Sequence, residues 1–271
     1  MPMAAKVLYV TQEIYPYLPA SEIATLSREL PQAIQEQGKE IRTFMPRYGC
    51  INERRNQLHE VIRLSGMNLI IDDSDHQLII KVASIQAARM QVYFIDNEEY
   101  FKRKAVIVDE NGGEFADNDD RAVFFARGVL ETVKKLRWTP DIIHCHGWMA
   151  AVLPILAKKA YHDDPFFANA KIVTSIYDNP FQQVFSERIV NKIKMDGISE
   201  SDLELVAKGA SFADLCKLAI QYSDGVIQGS ESILPELVDF TNQSQKMFLP
   251  YQEPQNYVTA YNQFYDQILG K

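Results

Sequence analysis

The chain has 271 residues, of which 46% are hydrophobic and 24% charged, ordinary values for a globular protein that can bury a substantial core. Its net charge of −8 argues against a binder of nucleic-acid backbones, because such affinity depends on Lys and Arg. The three cysteines, Cys50, Cys145 and Cys216, are widely separated and form neither a disulfide framework nor a CxxC zinc pattern, so no metal site is predicted.

Strand-like apolar runs recur along the chain. Several are continuous in Val, Ile and Leu, which is typical of parallel strands buried on both faces. The runs cover residues 7–11, 41–45, 67–71, 78–85, 90–95, 141–145, 172–176 and 225–228.

Helical patterns lie between many of these runs. Apolar residues recur at helical spacing over 23–34, where Pro31 predicts a kink and Gly38 ends the pattern. A second apolar stripe, over 122–136, follows an acidic segment at 117–120 that suits a helix N-terminus. The alternation predicts an α/β fold with right-handed crossovers.

Two segments depart from this alternation. Three runs with short polar breaks over 66–95 predict a local antiparallel hairpin or meander. Aromatic residues at helical spacing over 252–271 predict a C-terminal helix that docks on the body of the protein. We therefore expect a single Rossmann-like domain over residues 1–271, with a mostly parallel sheet flanked by helices. The chain shows neither a signal-peptide pattern nor an apolar run near the ~18 residues of a membrane helix, so a cytoplasmic protein without a membrane partner is expected.

The first strand turns into the first helix through residues 17–22, Tyr-Leu-Pro-Ala-Ser-Glu. A Rossmann-like fold offers backbone N–H groups to a phosphate at such a turn, and glycine lets the backbone come close. This turn contains no glycine. Ser21 suits an N-cap, and the Glu22 carboxylate can satisfy the helix dipole in place of a phosphate. Two interpretations are open: a helix start built for stability, and a repurposed anion or sugar contact.

Five motifs occur in an order that resembles the N-terminal domain of bacterial glycogen synthases and plant starch synthases. They are KVLYVTQEIYP, LPQAIQEQGKEIRTFMPRY, VYFIDNEEYFKR, EFADNDDRAVFFARGVLE and PDIIHCHGWMAAVLP, and the resemblance covers residues 6–240. It implies the N-terminal half of a GT-B glycosyltransferase. Enzymes of this family transfer glucose from ADP-glucose to an α-1,4-glucan with retention and without a metal, and the glucan lies between two Rossmann-like domains. The second domain has no recognisable counterpart in this sequence.

The first turn departs from the family pattern E-x-x-P-x-x-K-x-G-G-L. Glu13 and Pro16 match it, and the resemblance makes them, with the neighbouring Tyr17, candidates for substrate contact. The lysine position holds Pro19, and the glycine positions hold Ser21 and Glu22. In the family these positions meet the nucleotide diphosphate, so we expect that ADP-glucose is not held here and that no cofactor binds.

The segment HCHGWMAA departs from the family's H-x-H-D-W-H-A-G. His144, His146 and Trp148 match, whereas Gly147 replaces an aspartate and Met149 replaces the histidine that contacts the transferred sugar. The two histidines share one face of a strand. They are candidates for lining a sugar pocket, and the alternative is a pair satisfied by local hydrogen bonds.

Two further segments supply candidates. Tyr177 and Asp178 replace the His and Asn of the family's T-I-H-N stretch, and the tyrosine ring could stack on a sugar or belong to the core. Asp117 matches the aspartate that helps to form the family's glucose site, and it also suits an N-cap.

Three functions are therefore compared. The first is a degenerate synthase-like module, inactive alone, that binds glycogen or another α-glucan, or a protein. The second is an active glucosyltransferase whose second GT-B domain comes from a partner chain or an oligomer. The third is a small-molecule sensor or different enzyme that uses a pocket around Tyr177, His146 and Asp117.

Overall fold

The structure, a computed structural model, describes residues 4–271. These residues form a ten-stranded mixed sheet. The strands are β1 (Lys6–Thr11), β2 (Glu40–Pro46), β3 (His59–Glu60), β4 (Met67–Ile71), β5 (Ser74–Ile85), β6 (Met90–Asp96), β7 (Ile142–His146), β8 (Lys171–Ile176), β9 (Gly225–Gln228) and β10 (Met247–Leu249).

The strand order is β10-β9-β8-β7-β1-β2-β6-β5-β3, and β4 pairs with β5. All neighbours from β10 to β6 are parallel, whereas β5 is antiparallel to β6, β4 and β3. Both the predicted α/β class and the predicted antiparallel segment are confirmed. The strand order reverses between β1 and β7, and ligands of such sheets bind outside the carboxyl ends of strands at this switch point.

Helices connect the strands. The α-helices are α1 (Glu22–Glu36), α2 (Glu98–Phe101), α3 (Asn118–Leu136), α4 (Leu153–Ile155), α5 (Ile189–Ile193), α6 (Phe212–Gln221), α7 (Pro235–Gln243) and α8 (Tyr257–Ile268). The first helix runs through Pro31 without interruption. No helix among residues 4–271 has the length and apolar composition that crossing a bilayer requires.

The sheet divides the core into two layers. Alternate residues of β1 point to opposite faces, so Leu8 and Val10 join a large cluster with α3 and α6. Val7 and Tyr9 join a smaller cluster with α1 and α8. Cys145 lies in the large cluster and is fully buried, as expected of a small hydrophobic residue.

Three local features differ from what the sequence predicted. Asp141 precedes β7 instead of starting it, and its carboxylate accepts a hydrogen bond from the Lys6 backbone N–H at 2.7 Å. Asp117 precedes α3, but its side chain forms no cap hydrogen bond. The short edge strands β3 and β10 were not predicted, because a strand of two or three residues is too short to show an alternation of apolar and polar residues.

The C-terminal helix α8 packs tightly on β9. A Cβ at Gly225 would overlap Ile268 Cδ1 and would lie 2.9 Å from Phe264 Cζ. We expect Gly225→Ala to lower the free energy of unfolding by about 2 kcal/mol, because overpacking forces α8 away from the sheet. Urea unfolding measures the loss, and faster amide exchange in α8 would locate it.

The matched control for that substitution is Gly113→Ala. Gly113 is exposed, and a Cβ there would meet only the Asp109 carboxylate at 3.3 Å. We expect this variant to change stability by less than about 0.5 kcal/mol. Equal losses in the two variants would contradict the packing of α8 on Gly225.

Candidate functional site

The candidate site lies at the carboxyl ends of β1, β7, β8 and β9. The four strands are adjacent and parallel, so the residues that follow them meet at one edge of the sheet. This edge includes the switch point between β1 and β7. The glycine-free turn after β1 therefore lies where a Rossmann-like sheet binds its ligand.

A hydrogen-bonded network, here called the first-turn network, fills this turn. It consists of Gln12, Glu13, Ser21, Glu22 and Ser230. Ser21 Oγ donates to Glu13 Oε2 at 2.6 Å and accepts from the Ala24 backbone N–H at 3.0 Å, so the predicted N-cap is confirmed. Gln12 Nε2 donates to the other Glu13 oxygen at 3.2 Å. Glu13 is therefore tied to the helix start rather than free for a ligand.

The network also reaches the far strands of the sheet. Ser230, which follows β9, donates its hydroxyl to Glu22 Oε2 and accepts from the Asp178 backbone N–H at 2.9 Å. The bond from Ser230 brings no positive charge to Glu22, because a hydroxyl is a neutral donor. The first turn of α1 is thereby joined to the ends of β8 and β9.

The electrostatic character of the network is acidic. Neither Glu13 nor Glu22 forms an ion pair within residues 4–271, and Pro19 is exposed and has no N–H to donate. A carboxylate in the first turn satisfies the positive helix terminus that otherwise favours an anion. The turn is therefore suited to a neutral or cationic group rather than to a phosphate.

The loop after β7 is shaped around Gln12. Gly147 has a φ of +79°, and a Cβ there would lie 3.0 Å from Gln12 Oε1. The same oxygen accepts from the Met149 backbone N–H at 3.3 Å, and Met149 is fully buried. The Gln12 side chain thus occupies space that a side chain at position 147 would need, a contact that the sequence did not predict.

The two candidate histidines lie beneath α8. Their rings are 3.8 Å apart, and both are fully buried. His144 has Tyr265 Oη at 2.6 Å from Nδ1 and Ser175 Oγ at 2.7 Å from Nε2, while Tyr177 Oη lies 2.7 Å from His146 Nδ1. Burial lowers the pKa of His146 to about 3, and burial and the neighbouring His146 lower the pKa of His144. Both rings are neutral at physiological pH.

The remaining candidates divide into buried and exposed groups. Tyr17, Trp148 and Tyr177 are each at most 8% exposed, so their ring faces are covered by protein. Trp148 packs edge-on against Phe181, with ring centroids 4.8 Å apart. The exposed members of the set are Pro16 and Asp178.

Asp117 lies apart from the first-turn network. Its two oxygens accept from Arg103 Nη1 and Nη2 at 2.8 and 2.6 Å, a bidentate pair. Behind it, the fully buried Arg121 donates to Asn118 Oδ1 at 2.6 Å and lies over the Phe101 ring at 5.1 Å. Burial lowers the pKa of Arg121 to about 10, which leaves it charged at physiological pH.

No group of three or more His, Cys, Asp or Glu side chains is placed to hold a metal ion within the described part of the chain. The network residues Gln12 and Ser230, and the partners Arg103 and Tyr265, were not predicted as site residues. Gln12 and Ser230 carry a usable signal, since each follows a predicted strand at the carboxyl edge.

Comparisons with known proteins agree with these motifs. The family model of the starch synthase catalytic domain matches residues 6–247. A glycogen synthase from Chlorobium limicola is 36% identical over 236 residues, which are 84% of this chain and 48% of the relative. One from Chlorobaculum parvum is 38% identical over 217 residues, 78% of this chain and 44% of the relative. The chain spans about half the length of the curated relatives it matches.

A solved structure shares the fold. The catalytic domain of starch synthase IV from Arabidopsis thaliana, bound to ADP and acarbose, aligns with a TM-score of 0.74 and 19% identity. The alignment covers 92% of this chain and 52% of that one. At this identity the likeness establishes the α/β architecture and nothing about ligands.

Proposed function

The chain belongs to the starch synthase catalytic domain family, and we propose that it is a degenerate member that binds α-glucan without transferring glucose by itself. The observation that carries this proposal is the Glu22 carboxylate in the first turn of α1. It lies where the family pattern places a glycine that meets the nucleotide diphosphate.

The physical objection to donor binding is electrostatic. Two unit charges of like sign 4 Å apart repel by about 4 kcal/mol at an effective dielectric of 20. Ser230 and Ser21 bring neutral hydroxyls to the two carboxylates of the turn, and Pro19 stands in place of the family's lysine. The departing diphosphate of ADP-glucose would find no compensating cation at this turn.

The carbohydrate side of the proposal rests on Tyr15. Its side chain is 49% exposed, and its backbone N–H donates to the Ala24 carbonyl at 3.0 Å, which fixes the loop to α1. A partly exposed aromatic ring in the loop after β1 offers a sugar a stacking surface. In the Arabidopsis structure a protein of the same fold is bound to acarbose as well as to ADP.

The alternative is glucosyl transfer from ADP-glucose, with the second GT-B domain provided separately. Asp117, held by Arg103 at the start of α3, supports it as a residue that matches the family's glucose site. In that case a cation from the second domain would have to offset the Glu22 charge.

Radiolabelled glucose transfer from ADP-glucose to glycogen by the purified chain separates the two. We expect no transfer above background, with the Chlorobaculum parvum glycogen synthase as positive control, and co-sedimentation of the chain with glycogen. Transfer that is lost in Asp117→Ala would overturn the proposal in favour of the enzyme. The absence of both transfer and glycogen binding would refute the glucan-binding role and leave a protein partner to be sought.

The exposed tyrosine gives a direct test of glucan binding. We expect Tyr15→Ala to weaken glycogen binding roughly tenfold, about 1.4 kcal/mol, because it removes the stacking surface. Affinity electrophoresis in glycogen-containing gels measures the effect. Ile62→Ala is the matched control, since Ile62 is 83% exposed and follows β3, the outermost strand of the sheet, with β2, β6 and β5 between it and β1. Equal mobility shifts in both variants would contradict the assignment.

A further inference from the structure

A cavity of about 390 Å³ lies between α1 and α8, beside the first-turn network. One face of α1 forms the first wall, with Glu22, Thr25, Leu26 and Glu29. The last three follow Glu22 by three, four and seven residues, so all four side chains lie on the same face of the helix. Its size is within the range of small-molecule sites.

The opposite wall is aromatic. Tyr257 and Tyr261 of α8 and Tyr251 of the preceding segment line it, and Gly229 lies at its base. The rings of Tyr257 and Tyr261 stand at 86° to each other with centroids 6.2 Å apart, so they form two sides of a corner. Tyr261 is 3% exposed and packs behind the wall, so the partly exposed Tyr251 and Tyr257 rings are the surfaces available to an organic cation.

Neither carboxylate of the cavity has a cationic side chain as its partner within residues 4–271. Glu22 accepts from the Ser230 hydroxyl, and Glu29 accepts from Tyr257 Oη at 3.1 Å. Neither forms an ion pair within residues 4–271, and no Lys or Arg is among the residues that line the cavity. Burial and the Glu29 charge raise the pKa of Tyr257 to about 12, so the phenol remains neutral and adds no charge of its own.

We propose that this cavity binds an aliphatic polyamine. Glu22 and Glu29 lie two helical turns apart, roughly 10 Å along the axis, which matches the separation of the terminal ammonium groups of a linear triamine. Each carboxylate pairs with one ammonium group, and the methylene chain between them packs on the tyrosine rings.

Other ligand classes fit less well. A phosphate or nucleotide would be repelled by two carboxylates. A metal ion needs several oxygen ligands at about 2 to 2.6 Å, and the two carboxylates are too far apart to share one. A neutral sugar would bring no positive charge to either carboxylate, whereas each ammonium group forms a charge-assisted hydrogen bond with one. The inference is independent of glucan binding, which is assigned to the Tyr15 side of the edge.

Isothermal titration calorimetry with spermidine at low ionic strength tests the proposal. We expect saturable binding at one site, and a loss of at least roughly tenfold in affinity for Glu22→Gln/Glu29→Gln. Glu36→Gln/Glu40→Gln removes the same amount of charge at exposed positions at the far end of α1 and the start of β2, and it should bind as the wild type does. n-Butylamine, with a single ammonium group, should bind at least tenfold more weakly than spermidine.

The aromatic wall is tested separately. Tyr257→Leu should weaken spermidine binding severalfold by removing a ring, whereas Tyr257→Phe, which keeps the ring and frees Glu29 from its hydroxyl partner, should not. The proposal is overturned if no saturable heat is seen, or if the two double variants lose affinity equally, since that indicates attraction to net charge alone. Circular dichroism of each variant checks that the fold is retained.

Discussion

Lowering the pH from about 7 to about 5 is expected to reduce the free energy of unfolding by about 2 kcal/mol through His146, and His144 adds to this loss in the same direction. His144 and His146 are fully buried under α8, and both keep their pKa below the usual value for histidine. Since single domains are stable by only about 5 to 15 kcal/mol, this loss is a large share of the total.

The sign follows from proton binding in the two states. An unfolded histidine has a pKa of about 6.5, whereas burial holds that of folded His146 at about 3. Between these values the unfolded chain binds protons that the folded chain excludes, so stability falls as the pH decreases below about 6.5. His146 contributes about 1.4 kcal/mol per pH unit between these two pKa values, and above pH 7 its contribution is flat.

Urea unfolding at both pH values measures the effect. His146→Gln removes one of the two buried rings, and we expect the stability of this variant to fall less steeply with decreasing pH than that of the wild type. His59→Gln is the control, because His59 is exposed and its removal should leave the slope unchanged. If His146→Gln does not fold, NMR titration of the wild type replaces it: a shift of either buried ring near pH 6.5 would contradict the prediction.

Much of the fold follows from patterns that a single sequence carries. The parallel strands were visible as continuous apolar runs, and β9 was predicted with the bounds that the structure gives it, Gly225–Gln228. The resemblance to starch and glycogen synthases is likewise confirmed by the family match over residues 6–247. The short strands β3 and β10 could not be predicted, because their pairing depends on neighbours already in place.

The site was predictable only where its residues are close in sequence. Ser21 as a cap and Glu22 in the first helical turn follow from local rules. The Ser230 partner of Glu22 is 208 residues away, and the Tyr265 partner of His144 is 121 residues away. No local pattern predicts such contacts, so the burial of the histidines under α8 was missed.

Restoring the family pattern at the first turn should restore phosphate affinity. We expect Pro19→Lys/Ser21→Gly/Glu22→Gly to bind ADP roughly a hundredfold more tightly than the wild type, about 2.7 kcal/mol. The variant adds a cation, removes the carboxylate that occupies the helix terminus, and lets the backbone N–H groups approach the diphosphate. Replacing the Ser21 cap by glycine costs only a few tenths of a kcal/mol, so the fold should survive.

A control variant separates the effect of the turn on ADP affinity from the effect of the protein's net charge. Pro165→Lys/Glu36→Gln raises the net charge by the same amount at two exposed positions away from the turn, and it should leave ADP affinity near that of the wild type. Calorimetric titration with ADP compares the three proteins. Equal gains in ADP affinity in both variants would mean that the affinity depends on the overall charge of the protein rather than on the residues of the turn. A gain confined to the turn variant would assign the loss of donor binding to Pro19, Ser21 and Glu22, because the rest of the edge is the same in both proteins.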